Sequence, residues 1–313
     1  MKIVITGHNS LLGSNLAKYF SVNNQVILLG TRNKRYKKYQ FNYEYNYLDF
    51  NNLNVFFNNE KNIDLFIHCA GINSKVCYKN SKEAFKFNVK LTEELFNICL
   101  KNNIGCFVYL SSVNVYKKNI KGKIYENSPL ENENLYAIYK KAAEEKITNI
   151  AKNSSMRYLI LRLSNVLAEP LIKETNCWDL VTFNLSKEII EDGTITIKGD
   201  SSVRRDFFDI IYLFDFINLF ASNIKFESGI FNLCSGKTLS ILDLSKILQS
   251  ITLEKFSFKP IIKELTQTNN LSSEYFNYSN EKIKKFGFEI KNDIKDMLIN
   301  ILNVAHKFYS SEK

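Results

Sequence analysis

Short apolar runs that alternate with longer segments of helical period constrain this chain more than any other feature. The series begins with "KIVIT" (2–6), a helical stretch from about Leu11 to Phe20, and "QVILLG" (25–30). Next come "YNYLD" (45–49), a helix over the fifties, "DLFIHCAG" (64–71) and a helix from about Lys82 to Lys101. "CFVYLSS" (106–112), a helix from about Leu135 to Lys152 and "RYLILRLSN" (157–165) complete it. Strands that are apolar throughout and rich in β-branched and aromatic residues are buried on both faces, with the intervening helices as their cover. The expected fold is α/β, a Rossmann-like doubly wound parallel sheet.

After about residue 166 the rhythm changes. Helical stretches near 178–191, 212–222, 240–251 and 292–308 alternate with short strand-like pieces such as "TITIKG" and "GIFNLC". The expected division is a dinucleotide-binding part over 1–165 and a smaller α/β substrate-binding part over 166–313. The second part is partly interleaved with the first and closes over the carboxyl ends of the strands, where open α/β sheets bind ligands. The sequence shows no repeat and no low-complexity linker, and its prolines are Pro129, Pro170 and Pro260.

With 313 residues, 45% apolar and 24% charged, the chain can bury a packed core. The net charge of +10 is spread along the sequence, and its densest run, "RNKRYKK" (32–38), is short. Nucleic acid is therefore not an expected partner, whereas small anions such as sugar nucleotides are. Cys69, Cys77, Cys99, Cys106, Cys177 and Cys234 lack paired C-x-x-C spacing, and His8, His68 and His306 lie far apart. The reading is of reduced, mostly buried thiols without a zinc site or a disulfide framework. No apolar stretch approaches the roughly 18–20 residues of a membrane span, and a strand opens the chain with no signal-like segment before it. A cytoplasmic protein that does not enter membranes is expected.

Two short patterns carry chemistry. "TGHNSLLG" (6–13) joins a strand to a helix, where the first helical N–H groups and the positive end of the helix dipole can bind pyrophosphate. Gly7 permits a tight turn and Gly13 close helix–strand packing. Ser10 takes the position where the backbone approaches the phosphates, adding a Cβ but also a hydroxyl donor. The second pattern, Y-x-x-x-K, puts a phenol and an ammonium on one helix face, so that the ammonium can lower the phenol's pKa from its usual value of about 10. It occurs at Tyr78/Lys82, Tyr136/Lys140, Tyr278/Lys282 and Tyr309/Lys313. Position selects Tyr136, which opens a helix after the strand that ends in "SSVNVY" (111–116). His8 reads as a loop residue without chemistry, and His68 as a core residue.

Together these segments resemble the extended short-chain dehydrogenases/reductases, enzymes of nucleotide-linked sugars that include epimerases, dehydratases and keto-reductases. "TGHNSLLG" resembles the family's phosphate loop, "DLFIHCAG" its fourth strand, "FNV" around Asn88 its central helix, and "YLSSVNVY" its serine strand. "YAIYKKAAEE" resembles its tyrosine helix, "LILRLSNVLAEP" its substrate turn, "RRDFFDI" its nucleotide clamp, and "GIFNLCSGKTLSI" a late strand and turn. The resemblance implies catalysis by Ser112, Tyr136 and Lys140, with Ser111 a structural neighbour and Lys140 also binding the nicotinamide ribose. It implies cofactor contacts from Gly7, Ser10, Leu11, Leu12, Gly13, Ala70, Gly71 and Asn88. Asn165 and Arg205 would face the sugar and diphosphate of a nucleoside-diphosphate sugar. For Arg205 the competing reading is a surface ion pair with Asp206.

Departures narrow the reaction. Family dehydratases carry an Asp-Glu pair after the serine or threonine, and here Val113 and Asn114 stand there, which argues against 4,6-dehydration. Lys117 replaces the usual glycine after "VY", and Leu167-Ala168-Glu169-Pro170 replaces the usual "YGP" turn. The second strand ends in "VILLGTR", with Gly30 where a carboxylate would hold an adenosine ribose. Thr31 and Arg32 follow, with Lys34 and Arg35 close behind, an arrangement suited to a 2′-phosphate, and Asp49 would meet the adenine amino group. NADP(H) is thus the expected cofactor, with NAD(H) the alternative. The expected reaction is NADPH-dependent reduction of a 4-keto sugar nucleotide. Its rivals are an NAD-dependent epimerase and a non-catalytic redox-sensing or scaffold protein of this fold. A homodimer through the helices near 82–101 and 135–152 is also expected, on the strength of Phe85, Val89, Ala143 and Ile147.

Overall fold

The computed structural model describes residues 1–30, 41–47, 53–131, 133–265, 275–291 and 293–310. Seven strands form its central parallel sheet: β1 (Lys2–Thr6), β2 (Gln25–Gly30), β3 (Glu44–Tyr47), β4 (Leu65–His68), β5 (Cys106–Ser112), β6 (Arg157–Leu163) and β7 (Gly229–Leu233). Their spatial order is β7-β6-β5-β4-β1-β2-β3. Strand succession therefore runs outward in opposite directions from the β1/β4 pair, and the loops leaving β1 and β4 diverge there, opening a crevice at the carboxyl ends.

The central strand shows why the order is stable. Ile3 and Ile5 enter one core, with Leu16 and Phe20 of helix α1 (Leu11–Phe20). Val4 points the other way, into a core built with Phe96 of α2 (Leu91–Lys101) and Ile147 of α3 (Leu135–Ala151). All three β1 side chains have no exposed surface, and the period of two delivers them alternately to the two faces.

Beyond β6 the chain builds smaller units and then returns. A three-stranded sheet joins Asn165–Leu167, Arg204–Asp209 and Thr238–Ser240, and α4 (Val181–Asp192) leads into Thr194–Ile197, which pairs with Ile261–Glu264. The segment "GIFNLC", read from sequence with the smaller part, instead supplies β7, registered from Gly229↔Leu159 to Leu233↔Leu163 on β6. Phe231 and Leu233 are fully buried there, so the main sheet gives this apolar strand the double cover it needs.

Two other expectations change at their boundaries. The run over 157–165 breaks after Leu163 because Ser164 turns its hydroxyl to the Asp206 carboxylate, after which Asn165–Leu167 pairs with Phe207–Asp209. The helix expected over 82–101 is Ser81–Phe85, one π-turn over Lys86–Lys90, and then α2. Asn88 lies in that π-turn, where its side chain accepts from the Ile72 N–H (2.7 Å) and donates to the Ile72 carbonyl (3.0 Å). Wide turns of this kind re-aim a side chain without ending the helix.

His68, at the end of β4, is wholly buried, and its partners fix where its proton sits. The Thr92 hydroxyl donates to the Asn88 carbonyl (2.9 Å), which uses its one hydrogen. The contact of 2.9 Å between Thr92 Oγ1 and His68 Nε2 must therefore be donated by the imidazole. Nδ1 then accepts from Thr6 Oγ1 at 2.8 Å, and Thr6 accepts from the Ala70 N–H at 3.3 Å. Burial, aided by the nearby Lys140 charge, lowers the His68 pKa to about 3. This chain of bonds ties β1, β4 and the Asn88 turn together behind the crevice. The ¹⁵N spectrum of His68 should show a neutral ring protonated on Nε2 and unchanged down to pH 5. Thr92→Val, which leaves that N–H without its acceptor, should cost about 1–3 kcal/mol in denaturant unfolding. A ring that titrates near 6.5 would contradict the assignment.

Candidate active site

The crevice is built from the loop after β1. Gly7 adopts φ +72°, and a Cβ there would lie 2.5 Å from the Ala70 nitrogen. A Cβ on Gly13 would lie 2.3 Å from the Gly7 carbonyl oxygen, so α1 approaches β1 at a distance that excludes any side chain. Ser10 is the N-cap of α1, its Oγ accepting from the Gly13 N–H at 3.0 Å. Sequence reading gave this hydroxyl to the phosphate as a donor; its oxygen is engaged in starting the helix, while its hydrogen remains free to donate. Leu11 and Leu12 form the first turn behind it; after β4, Ala70 lies against Gly7, whereas Gly71 lies toward Asn88 and Lys140. Thr31, Arg32, Lys34, Arg35 and Asp49 lie outside the described residues. Gly30, the last residue of β2, pairs with Tyr47 of β3.

On the other side of the crevice stand β5 and α3. Ser112 ends β5 and accepts from the Asn114 N–H (3.1 Å), capping a short turn in which Val113 is buried and Asn114 exposed. Asn134 caps α3 by accepting from the N–H groups of Tyr136 and Ala137. This start places Tyr136 beside Ser112, and Lys140 one turn deeper. The Lys140 ammonium donates to the Leu110 carbonyl at 2.7 Å and sits 4.6 Å from the centre of the Tyr109 ring and 5.9 Å from that of Tyr136.

Burial lowers the Lys140 pKa to about 8, with the Glu144 carboxylate pulling it back up. Burial likewise pushes the Tyr136 phenol up to about 12, with Cys77 adding to the rise and hydrogen bonding to Ser112 opposing it. The ammonium was expected to bring this phenol down. In this arrangement enclosure outweighs it, because the ammonium is directed to a carbonyl and not to the phenol oxygen.

Among the described residues no other Y-x-x-x-K pair forms such a face. Tyr78 and Lys82 belong to separate short helices, Tyr278 lies in a strand, and Tyr309 ends the last helix while Lys313 is outside the described residues.

A cavity of about 310 Å³ connects these parts. Its lining brings together Ser10, Leu11, Leu12 and Gly71, the set Ser112, Tyr136 and Lys140, and Asn165, Asn176 and Thr182. A smaller cavity of about 110 Å³ shares Ser112 and Asn165 with it and is lined also by Arg204 and Arg205. Arg205 is exposed, and Asn165 donates to the Asp206 carbonyl at 2.8 Å. The ion pair considered for Arg205 and Asp206 is not the one formed. Neighbours on a strand face opposite ways, and the buried Asp206 carboxylate accepts from Ser164 Oγ, Ser235 N, Ser235 Oγ and Gly236 N. Burial still raises its pKa to about 6.

Sequence reading overlooked Asp206 as a hub, Arg204, which is anchored on Thr238 Oγ1 (3.0 Å) and its carbonyl (2.6 Å), and the buried pair Glu144–Arg162. The "RRD" run carried a signal for the first two; nothing in "KKAAEE" marks which glutamate turns inward. The residues offered for a dimer contact are mostly core: Val89, Ala143 and Ile147 are buried within the chain, and Phe85 alone of the four is exposed, stacking edge-on against Tyr139. No helix among the described residues is long and apolar enough to cross a membrane.

Known proteins agree with this architecture. The profile of the family described as "NAD dependent epimerase/dehydratase family" matches residues 3–234. A Methanocaldococcus jannaschii protein named "Putative UDP-glucose 4-epimerase" is 28% identical over 258 residues, spanning 79% of this chain and 81% of the relative. The UDP-N-acetylglucosamine 4-epimerase from Methanobrevibacter ruminantium, solved with UDP-N-acetylmuramic acid, superposes with a TM-score of 0.84 at 19% identity, over 100% of this chain and 99% of its own. The UDP-glucuronic acid 4-epimerase from Bacillus cereus, solved with UDP-glucuronic acid and NAD, gives 0.80 at 20% identity, over 99% and 100%. With the sheet order, the glycine-tight loop and the family profile in agreement over three quarters of its length, this chain belongs to the NAD-dependent epimerase/dehydratase family, the extended short-chain dehydrogenases/reductases.

Proposed function

We propose that the protein epimerises a ring carbon of a nucleoside-diphosphate sugar, with a nicotinamide dinucleotide retained through the cycle. The observation that carries this reading is the cavity whose lining joins Ser112, Tyr136 and Lys140 with residues of the glycine loop and with the neutral polar groups Asn165, Asn176 and Thr182. The Methanocaldococcus relative favours epimerisation over the net reduction expected from sequence. Val113 and Asn114 supply no acid–base pair for elimination.

The loop fits a pyrophosphate. Gly7 and Gly13 leave no room for a Cβ, and the α1 N-terminus behind Ser10 directs its N–H groups toward the crevice. When bound, the dinucleotide supplies hydride acceptance and return at the sugar carbon. Gly7, Ser10, Leu11, Leu12 and Gly13 would hold its phosphates, Ala70, Gly71 and Asn88 would border it, and Lys140 would meet its ribose. Tyr136 takes the proton of the sugar hydroxyl as the carbon is oxidised and gives it back on reduction, and Ser112 holds that oxygen in line. Burial holds the Tyr136 phenol neutral in the free protein, so a cationic Lys140 is required to favour its phenolate once the sugar is bound, and turnover falls as pH rises through the Lys140 pKa. Asn165 and Arg205 would face the sugar and the diphosphate, and residues 166–313 would supply most of the sugar-nucleotide contacts.

Tyr136→Phe should abolish turnover, with loss of at least about 10²-fold as for a positioned acid–base group, while unfolding and cofactor content stay near the parent's; near-normal turnover would refute the assignment. An epimerase of this kind should purify with bound dinucleotide and interconvert its sugars with no net change in absorbance at 340 nm. Stoichiometric oxidation of added NADPH would instead establish the reductase reading.

That second reading has one observation in its favour: Gly30 removes the carboxylate that repels a 2′-phosphate, and Arg32 follows it. If Arg32 pairs with that phosphate, NADPH should bind more tightly than NADH by about tenfold or more, and Arg32→Ala should erase the preference. Equal affinities in the parent would exclude NADP(H) as the natural cofactor.

A further inference from the structure

Three residues of α3 face β5 at successive turns, and the mechanism above uses only two of them. Tyr136 meets Ser112, Lys140 donates to the Leu110 carbonyl at 2.7 Å, and Glu144 accepts from Ser111 Oγ at 2.5 Å. The spacing i, i+4, i+8 puts them on one helix face. Glu144 is 2% exposed, whereas its neighbour Glu145 is exposed to solvent.

A buried carboxylate requires a partner, and Arg162 of β6 supplies one. Its Nε lies 3.1 Å from each Glu144 oxygen and its Nη2 lies 2.7 Å from Oε2. Arg162 is also the register partner of Ser111, so the pair joins α3 to two adjacent strands at one level. Arg162 Nη1 continues to Tyr116 Oη (3.1 Å) and the Glu126 carbonyl (2.8 Å), and the Tyr116 hydroxyl donates to Asn232 of β7. A buried pair of this kind adds little net stability, since desolvation offsets most of its attraction. Its consequence is positional.

We propose that Glu144 is a positioning residue for the active site: clamped by Arg162, it fixes the Ser111–Ser112 end of β5 against α3 and balances the charge of Lys140. This rests on reading Ser112, Tyr136 and Lys140 as the reacting set. The groups that face Lys140 support the electrostatic half. Tyr136 and Glu144 lie on its own helix, Tyr109 on β5, His68 and Cys69 at the end of β4, Cys77 on the helix Ser74–Lys79, and Arg162 beyond Glu144 on β6. Burial raises both tyrosine phenols and both thiols and lowers His68, so in the free protein, the state the titration reads, these five are neutral at pH 7. Glu144 is then the anion of the group and Arg162 its second cation.

Removing either partner must therefore move Lys140 in opposite directions. Glu144→Gln removes the carboxylate that raises Lys140 and should lower its titration midpoint; Arg162→Gln leaves that carboxylate without its own partner and should raise it. Shifts of about one pH unit are expected for charges of this proximity. The midpoint is read from the ¹³Cε signal of Lys140 in the full-length, lysine-labelled protein, assigned by its loss in Lys140→Arg. The falling limb of the pH–rate profile should move with it, and Glu144→Asp should restore the parent's midpoint. Shifts of the same sign, or lowered turnover with an unmoved midpoint, would overturn the proposal. Should a single variant fail to fold, Glu144→Gln/Arg162→Gln removes the carboxylate that raises Lys140 together with its partner, so the midpoint should lie below the parent's; an unmoved or raised midpoint there would overturn the proposal equally. The NMR titration needs no substrate, so loss of the epimerase reading and loss of this one are separately visible.

Discussion

The hydrogen bond from the Lys140 ammonium to the Leu110 carbonyl joins the helix that carries Tyr136 to the strand that ends in Ser112, and the site is arranged around it. A charge-assisted bond contributes about 1.5–3 kcal/mol, while enclosing an ammonium costs several kcal/mol. One carbonyl cannot offset that alone. The face of the Tyr109 ring at 4.6 Å and the Glu144 carboxylate offset part of the remainder, and burial still lowers the Lys140 pKa; Glu144 in turn requires Arg162. The Tyr136 and Lys140 end of the crevice thus sits on a buried electrostatic frame that runs from α3 through β5 and β6 to β7.

The opposite wall is organised by exclusion. Gly7 and Gly13 bring β1, α1 and the loop after β4 so close that a single methyl group at either position would overlap backbone. Serine at the middle of the loop is accommodated because Ser10 stays at the helix cap, where its oxygen accepts from Gly13. Behind the loop, the Thr6–His68–Thr92 chain holds the two crossovers together. One wall is set by charge and the other by steric limits, and the sugar-nucleotide reading needs both to hold their spacing.

The sheet was legible because its strands are apolar on both faces, a property visible in each run separately. "KIVIT" and "CFVYLSS" show it as plainly as the structure does. The Tyr136/Lys140 pairing was singled out because three competing tyrosines failed a positional test, and among the described residues it is the one such pair that shares a helix. Long-range pairings were hidden. The return of residues 229–233 to β6, the turn at Ser164 toward Asp206 and the π-turn at Asn88 all depend on partners remote in sequence. Val89, Ala143 and Ile147 read equally well as an exposed contact stripe or as core, since periodicity reports a buried face and not what buries it. Glu144 beside Glu145 poses the same ambiguity for charge.

The central claim, a redox cycle closed within one cavity, is tested most directly by isotope return. A nucleoside-diphosphate sugar deuterated at the inverted carbon should yield its epimer with deuterium retained at that carbon, because the hydride leaves and comes back without exchange with solvent. Epimer that has lost the label to solvent, or label recovered instead in free dinucleotide, would contradict the account.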